Sequence, residues 1–257
     1  MSGDVPELPN FIQILYNRFP HETWIQVLHR WEDLVFSLIV GASITLFLYG
    51  GLRKKELIPR GLQNAIELGL TTLQNLIMGI LGPQGTKHLP FLGTLFIYIL
   101  LLNWVGLIPL MKSPSSNLNV TAGLAVCVFF YVQYLNIKNM GILGFLYHLA
   151  GSPQGVAGWM LVPVLVPLEL LSQISRPVTL ALRLFGNILG EHILLGVFAV
   201  LGVVWVAVYA LTLTLPLQIP FVFLALLTGF MQALVFTMLS TVYILLSIPH
   251  PKKIKER

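Results

Sequence analysis

The chain has 257 residues, of which 56% are hydrophobic and only 10% charged, and its mean hydropathy is +0.83. A soluble domain carries about 25% charged residues, so these charges are too few to cover a water-facing surface and lipid must be part of the solvent. The net charge of +5 does not indicate a nucleic-acid partner. The basic residues form no patch with interleaved aromatics; they flank apolar segments, where the cytoplasmic preference of Lys and Arg and the pull of anionic membrane lipids account for them.

A single cysteine, Cys127, excludes an internal disulfide, and without a Cys/His cluster neither a zinc-type site nor any other cofactor is expected. The N-terminus lacks a basic region followed by an apolar core, so no cleavable signal or transit peptide is read there. The first membrane segment is expected to act as the insertion signal.

Residues 1–30 are polar and mixed, with Pro6, Pro9 and Pro20, and are expected in water or along the interface. Residues 33–51 form the first span, closed by LRKKELIPR, whose Arg53, Lys54, Lys55 and Arg60 mark the cytoplasmic side and put the N-terminus outside. Over 61–81, apolar residues recur at helical spacing with Gln63, Asn64, Glu67, Gln74 and Asn75 between them, the pattern of an amphipathic helix at the cytoplasmic face. Residues 89–138 read as a transmembrane hairpin: one span to Leu110, the turn KSPSSNLN, and a return to Lys138. The Gly-rich stretch 139–158 reads as a loop at the interface.

From Pro163 to about Leu215 only Pro167 and Pro177 interrupt a helical pattern. A helix of about 50 residues would be roughly 75 Å long, against a hydrocarbon core of about 30 Å. The segment 163–215 must therefore fold back or lie steeply tilted. After Pro216 and Pro220, a final apolar helix over 221–248 leads into the basic tail 249–257. The whole reads as one membrane domain.

Chemistry concentrates in PLELLSQISRPVTLALRLFGNILGEH, residues 167–192. Glu169, Arg176, Arg183 and Glu191 are ionisable groups in apolar sequence. A charge at the bilayer centre costs about 2.5–3.5 kcal/mol on insertion scales, which makes such residues functional candidates. On a helical wheel Glu169, Ser172, Arg176, Thr179, Asn187 and Gly190 all fall within roughly 40° of Arg183. One polar stripe thus faces a groove rather than lipid, while His192 looks the opposite way. Arg176, beside Pro177, either belongs to this stripe or snorkels to the head groups. Glu169 either pairs with Arg176 or sits in an aqueous vestibule. On the last helix Thr228, Gln232 and Tyr243 share a face, and Gln232 is a candidate neutral partner for the Arg183 guanidinium.

At these residues the sequence resembles subunit a of F-type ATP synthases, the stator subunit beside the rotating c-ring, of the bacterial type. SRPVTLALRLFGNILGEH carries the resemblance, with IPRGLQNAIE, the asparagine of ILLLNWVGLIP, SPSSNLNVT and FMQALVFTMLSTVYI in support. The resemblance implies that Arg183 faces the ring's carboxylates, flanked by Asn187 and Gln232. It also implies that Glu169, Asn103, Thr179 and His192 line or border two offset aqueous half-channels; Arg176 and Glu191 join the candidate proton path as ionisable groups of the same apolar helix. The implied partners are the c-ring, the peripheral-stalk b subunits and the rest of the synthase, in a bacterial plasma membrane or, as the lesser alternative, an organellar one. The implied fold is an all-α membrane protein of five to six helices, with a transmembrane hairpin and two long, strongly tilted C-terminal helices.

Two positions depart from the family. Relatives often match the residue at the His192 position with an ionisable group seven before the final-helix glutamine, where this chain has Ala225. Glu191 is a candidate substitute, although it points about 100° away from His192 on the wheel. Asn117 stands where relatives often carry aspartate. Two rival functions fit less well. A secondary transporter predicts internal repeats, which are lacking. A membrane-embedded transferase needs clustered His, Asp or Cys, whereas the six histidines are scattered. No nucleotide-binding GxxxxGK[ST] loop is present, so the chain is read as non-catalytic.

Overall fold

The computed structural model describes residues 11–18, 22–52, 61–108, 110–151, 155–209 and 219–248. The basic stretch 53–60, the stretch 210–218 with Pro216, and the tail 249–257 lie outside the described residues. All regular structure among the described residues is helical: α1 (Phe11–Arg18), α2 (Thr23–Arg30), α3 (Glu32–Leu52), α4 (Leu62–Leu81), α5 (Leu89–Val105), α6 (Leu118–Leu149), α7 (Gly155–Tyr209) and α8 (Ile219–Ser247). Short 3-10 turns at Gly82–Lys87 and Pro114–Ser116 precede α5 and α6. Glu32–Gly50, Leu118–Tyr147, Met160–Phe198 and Ile219–Ser247 are long and apolar enough to cross a bilayer, while α5 is somewhat shorter.

Two differences from the expected boundaries have local causes. The segment 11–30 contains two short helices, α1 and α2, tied to each other by a stack of Tyr16 on His29 and to the α5–α6 turn by Phe11 N–H donating to Leu110 O (2.9 Å). The second difference is α6, which does not stop at Lys138 but continues to Leu149. Only Gly141 leaves helical geometry (φ 71°, ψ 167°), a conformation essentially restricted to glycine.

The core holds a small apolar cluster of Val40 and Ile44 of α3 with Leu102 of α5, and a larger apolar cluster shared by five helices. Leu73, Ile77 and Leu81 of α4, Leu92, Leu95 and Ile99 of α5, Ala125, Val128, Val132 and Leu135 of α6, Leu180, Leu184 and Ile188 of α7, and Phe236 and Ile244 of α8 are all buried in it. On α4 to α7 each set recurs at three- or four-residue spacing, and on α8 Phe236 and Ile244 stand eight apart, two turns along the same inward face. The opposite faces expose large apolar side chains, among them Leu143, Leu171, Leu182, Phe223 and Leu227. A surface of this kind belongs against lipid or another apolar chain.

In such surroundings backbone and hydroxyl groups must be satisfied internally. On α8 the buried Thr237, Ser240 and Thr241 hydroxyls donate to the carbonyls of Ala233, Phe236 and Thr237 one turn earlier. This costs no interhelical partner and leaves a slim helix that packs closely. Gly229 meets α5 at short range: a Cβ there would lie 3.2 Å from Asn103 Cβ and 3.3 Å from Trp104 Cδ1. The tightest approach is at Gly106, where a Cβ would lie 2.5 Å from Ser113 Cβ and 2.6 Å from His192 Cε1.

At the opposite end of α5, His88 Nδ1 and Tyr131 Oη share a hydrogen bond (2.9 Å), and Phe91 stacks on the same tyrosine (centroids 3.9 Å). Burial, and secondarily the Lys87 cation, lower the His88 imidazole from its ordinary value and favour its neutral form.

Two outcomes follow from this packing. Gly106→Ala should destabilise the chain by about 1–3 kcal/mol, as overpacking does, whereas Gly79→Ala, at an open helical position, should be neutral or stabilising; thermal denaturation in detergent compares the two. For His88 the folded pKa lies below the unfolded one, so the unfolded chain binds the extra proton. Its contribution is complete above about pH 6.5 and is lost as the pH falls through the folded-state value. The thermal midpoint difference between wild type and His88→Ala should therefore narrow on acidification.

Candidate functional site

Helices α7 and α8 run antiparallel, and three side-chain pairs mark their register. Arg176 lies over the Tyr243 ring (5.5 Å), Asn187 Nδ2 donates to Gln232 Oε1 (2.7 Å), and Phe198 stacks on Phe221 (centroids 3.7 Å). Successive pairs advance by eleven residues on α7 and retreat by eleven on α8. Eleven residues make about three helical turns, so the three contacts lie along one seam.

The polar stripe of α7 changes character along this seam. Glu169, Ser172 and Arg176 are half-buried, whereas Thr179, Arg183, Asn187 and Gly190 are exposed. Arg183 is flanked by the buried Leu184 and the exposed Leu182. Among the described residues its guanidinium has no hydrogen bond, ion pair or ring contact. Gln232, the expected partner for that guanidinium, is buried (4% exposed) and its oxygen is committed to Asn187 instead. The register explains this: Asn187 stands opposite Gln232, and Arg183 is one turn away. Next to Arg183, Gly186 and Gly190 are exposed and have nothing within reach of an added Cβ. Thr179 spends its hydroxyl on the carbonyls of Ser175 and Arg176.

On one side of Arg183 a cavity of about 220 Å³ opens between α6, α7 and α8. Its polar lining is Gln133, Asn136, Glu169, Gln173, Arg176, Tyr243 and Ser247. Glu169 Oε1 accepts from Gln173 Nε2 (3.3 Å), and Gln173 Oε1 accepts from Gln133 Nε2 (2.8 Å). Glu169 and Arg176 are therefore not an ion pair here; both line the same cavity. Pro177, also in the wall, removes the N–H that would bond the Gln173 carbonyl. The polar groups contributed by α6 were not singled out from the sequence. Gln133 and Asn136, three apart in an apolar span, were the available signal.

On the other side of Arg183 lies a cluster without charge at its centre. Asn103 is buried (2% exposed). Its Nδ2 donates to Gly229 O (3.1 Å), and its Oδ1 accepts from Ser115 Oγ (2.8 Å). Ser115 Oγ is also within 2.7 Å of Ser113 Oγ, which donates to Leu102 O. His192 reaches this cluster from the far face of α7, against Gly106. Ala225 is buried and offers His192 no polar group. Among the described residues neither His192 Nε2, Glu191 Oε2 nor Gln232 Nε2 has a hydrogen-bond partner, although all three are shielded. Buried polar atoms of this kind are ordinarily satisfied by water. Ser113 and Ser115 escaped the sequence reading because hydroxyls in a turn are common.

Beyond the serines, toward α2 and α3, Lys112 Nζ pairs with Glu32 Oε1 (2.7 Å) and Asp33 Oδ1 (3.3 Å). His29 Nδ1 lies 3.1 Å from Glu32 Oε2, and Asn117 Nδ2 donates to Asp33 Oδ2.

An exposed arginine on a lipid-type surface, with a polar cluster on either side, is the arrangement to compare with known proteins. The family model described as ATP synthase A chain matches residues 34–245. The chain is 59% identical to the ATP synthase subunit a of Protochlamydia amoebophila, over 96% of this chain and 92% of that one. It is 35% identical to the ATP synthase subunit a of Solidesulfovibrio magneticus, over 87% of this chain and 84% of that one. It is 36% identical to that of Gluconobacter oxydans, over 85% and 88%. With the family model matched along most of its length and relatives matched nearly end to end, the chain belongs to the ATP synthase A chain family, the membrane-embedded subunit a.

Proposed function

We propose that this chain is the stator half of a rotary proton path, with Arg183 as its electrostatic gate and one aqueous half-channel on each side of it. The observation that carries the reading is the state of Arg183: exposed and unpaired among the described residues, beside two open glycines, between a cavity lined by Glu169 and Gln173 and a cluster built on Asn103. An uncompensated cation on an apolar face calls for an anionic partner on another chain. The c-ring, with a carboxylate on each subunit, is that partner, and Gly186 and Gly190 leave room for a ring helix to approach.

The mechanism follows from charge and solvation. A ring carboxylate crosses lipid only when protonated, because a bare charge there is too costly. Opposite Arg183 the ionised form is favoured. The carboxylate therefore releases its proton into one half-channel before the arginine and takes another from the second half-channel after it. The fixed positive charge also repels protons that would leak directly between the two. Asn187 and Gln232 hold each other, so neither neutralises Arg183, and they present amide groups beside it. Glu169, Gln173, Gln133 and Arg176 line the half-channel on the cytoplasmic side. Asn103, Ser115, His192 and Glu191 border the outer one, with Thr179 between the two. Each charge moved across the membrane contributes about 2.3 kcal/mol per 100 mV.

The apolar spans and bacterial relatives support a multi-pass subunit of the bacterial plasma membrane. The Lys and Arg distribution supports an outer N-terminus and a cytoplasmic C-terminus. The peripheral-stalk b subunits complete the stator, and catalysis of ATP formation belongs to other chains of the complex.

Arg183→Ala should abolish ATP-driven proton pumping by the complex reconstituted in vesicles, while Arg176→Ala should lower it only in part. Coupled pumping at an unreduced rate by the Arg183 variant would refute the gate.

A further inference from the structure

The charged cluster at the outer end, His29, Glu32, Asp33, Lys112 and Asn117, is not explained by the gate itself. Its geometry is closely built. Lys112 Nζ bridges the two carboxylates of consecutive residues at 2.7 and 3.3 Å, and the side chains of Glu32, Asp33 and Lys112 are only 11%, 16% and 23% exposed. Groups this desolvated are costly unless each finds an opposite charge and hydrogen bonds. Here His29 supports Glu32 and the Asn117 amide supports Asp33 Oδ2, while Asp33 Oδ1 has no hydrogen bond among the described residues and depends on the Lys112 charge alone. The cluster joins the start of α3 to both ends of the turn 112–117.

That turn is the part of the molecule on which the outer polar cluster rests. Ser113 and Ser115 hang from it. Ser115 orients Asn103, Asn103 holds the Gly229 carbonyl of α8, and Gly229 lies three residues before Gln232. Ser113 also lies within van der Waals range of the space at Gly106 into which His192 packs. The backbone adds a second tie at the same place. Leu110 is the only non-glycine with positive φ among the described residues (69°), and its carbonyl accepts the Phe11 N–H. A leucine in the left-handed region is disfavoured by about 1–2 kcal/mol, so neighbouring contacts must hold it.

Resting on the proton-path reading above, we propose that Lys112 is a positioning residue: clamped by Glu32 and Asp33, it fixes the turn that sets the Ser113–Ser115–Asn103 cluster and the seat of His192. It binds no proton carrier. Ala225 is buried and has no group with which to orient His192, so the seat of His192 depends on rigid placement by the turn that the clamp holds. Without the ammonium group, two largely buried carboxylates would lose the counter-charge they share, and the turn would have to move to relieve them.

The test uses the whole synthase in inverted vesicles, reading ATP-driven acidification and the amount of this chain retained in the purified complex. Lys112→Met should lower acidification about tenfold with the chain retained, Lys112→Arg should keep most of it, and the reversed pair Lys112→Glu with Glu32→Lys should recover about fivefold over Lys112→Glu alone. Normal acidification by Lys112→Met, or a reversed pair no better than Lys112→Glu alone, overturns the proposal. Should Lys112→Met be lost from the complex, the reversed pair and Lys112→Arg decide it by the same criteria. Arg183→Ala, run alongside, separates the two ideas. Loss of pumping there together with a normal Lys112→Met defeats the clamp alone, whereas continued pumping by Arg183→Ala defeats the reading on which it rests.

Discussion

The antiparallel seam between α7 and α8 is the constraint on which the site depends. Its three contacts, Arg176 with Tyr243, Asn187 with Gln232 and Phe198 with Phe221, differ in chemistry but share an eleven-residue step on both helices. An eleven-residue step returns each side chain to nearly the same face, so two long helices stay in contact over about six turns. A slip of one turn would set Gln232 opposite Arg183 and break its bond to Asn187. The amide pair, the most specific of the three contacts, therefore does more than hold helices together. It keeps the neutral acceptor away from the cation and leaves Arg183 facing outward.

The polar groups of this apolar bundle are sorted by how they are satisfied. Hydroxyls on α8 bond to their own helix, which lets Gly229 and its neighbours lie flat against α5. Amides bond across helices: Gln133 to Gln173, Asn187 to Gln232, Asn103 to the Gly229 carbonyl. The ion pairs seen among the described residues gather around Glu32 and Lys112. Four shielded atoms lack a hydrogen-bond partner among the described residues: Asp33 Oδ1, which still meets Lys112 as an ion pair, and one atom each of Glu191, His192 and Gln232. In a low-dielectric interior such atoms are expensive. They are tolerable where water has access, as the proposed half-channels would give it.

Parts of this were legible in the residues alone. The dearth of charge required lipid, and the apolar runs marked the long helices because a span needs about twenty apolar residues whatever its neighbours. The three- and four-residue recurrence from Glu169 to Gly190 marked one face of one helix, since helical period is a local property. Other features depend on partners distant in sequence. Gln133 looked like one amide in an apolar span until α6 packed on α7 and set it against Gln173, forty residues later. Gly141 and Leu149 illustrate a boundary that local cues misplace: glycines suggested a loop, yet a single non-helical residue lets the helix resume.

What the sequence by itself determined is that the chain lives in a membrane, that it is helical, and that it carries one arginine too deep in apolar sequence to be ornamental. These follow from transfer energies and helical periodicity, which act residue by residue. What only the tertiary structure decided is who meets whom. Gln232 bonds Asn187 rather than Arg183, Glu169 shares a cavity with Arg176 without pairing to it, and Lys112 gathers two carboxylates from a helix some eighty positions away. Those choices are set by helix register and crossing, quantities that no single stretch of sequence contains.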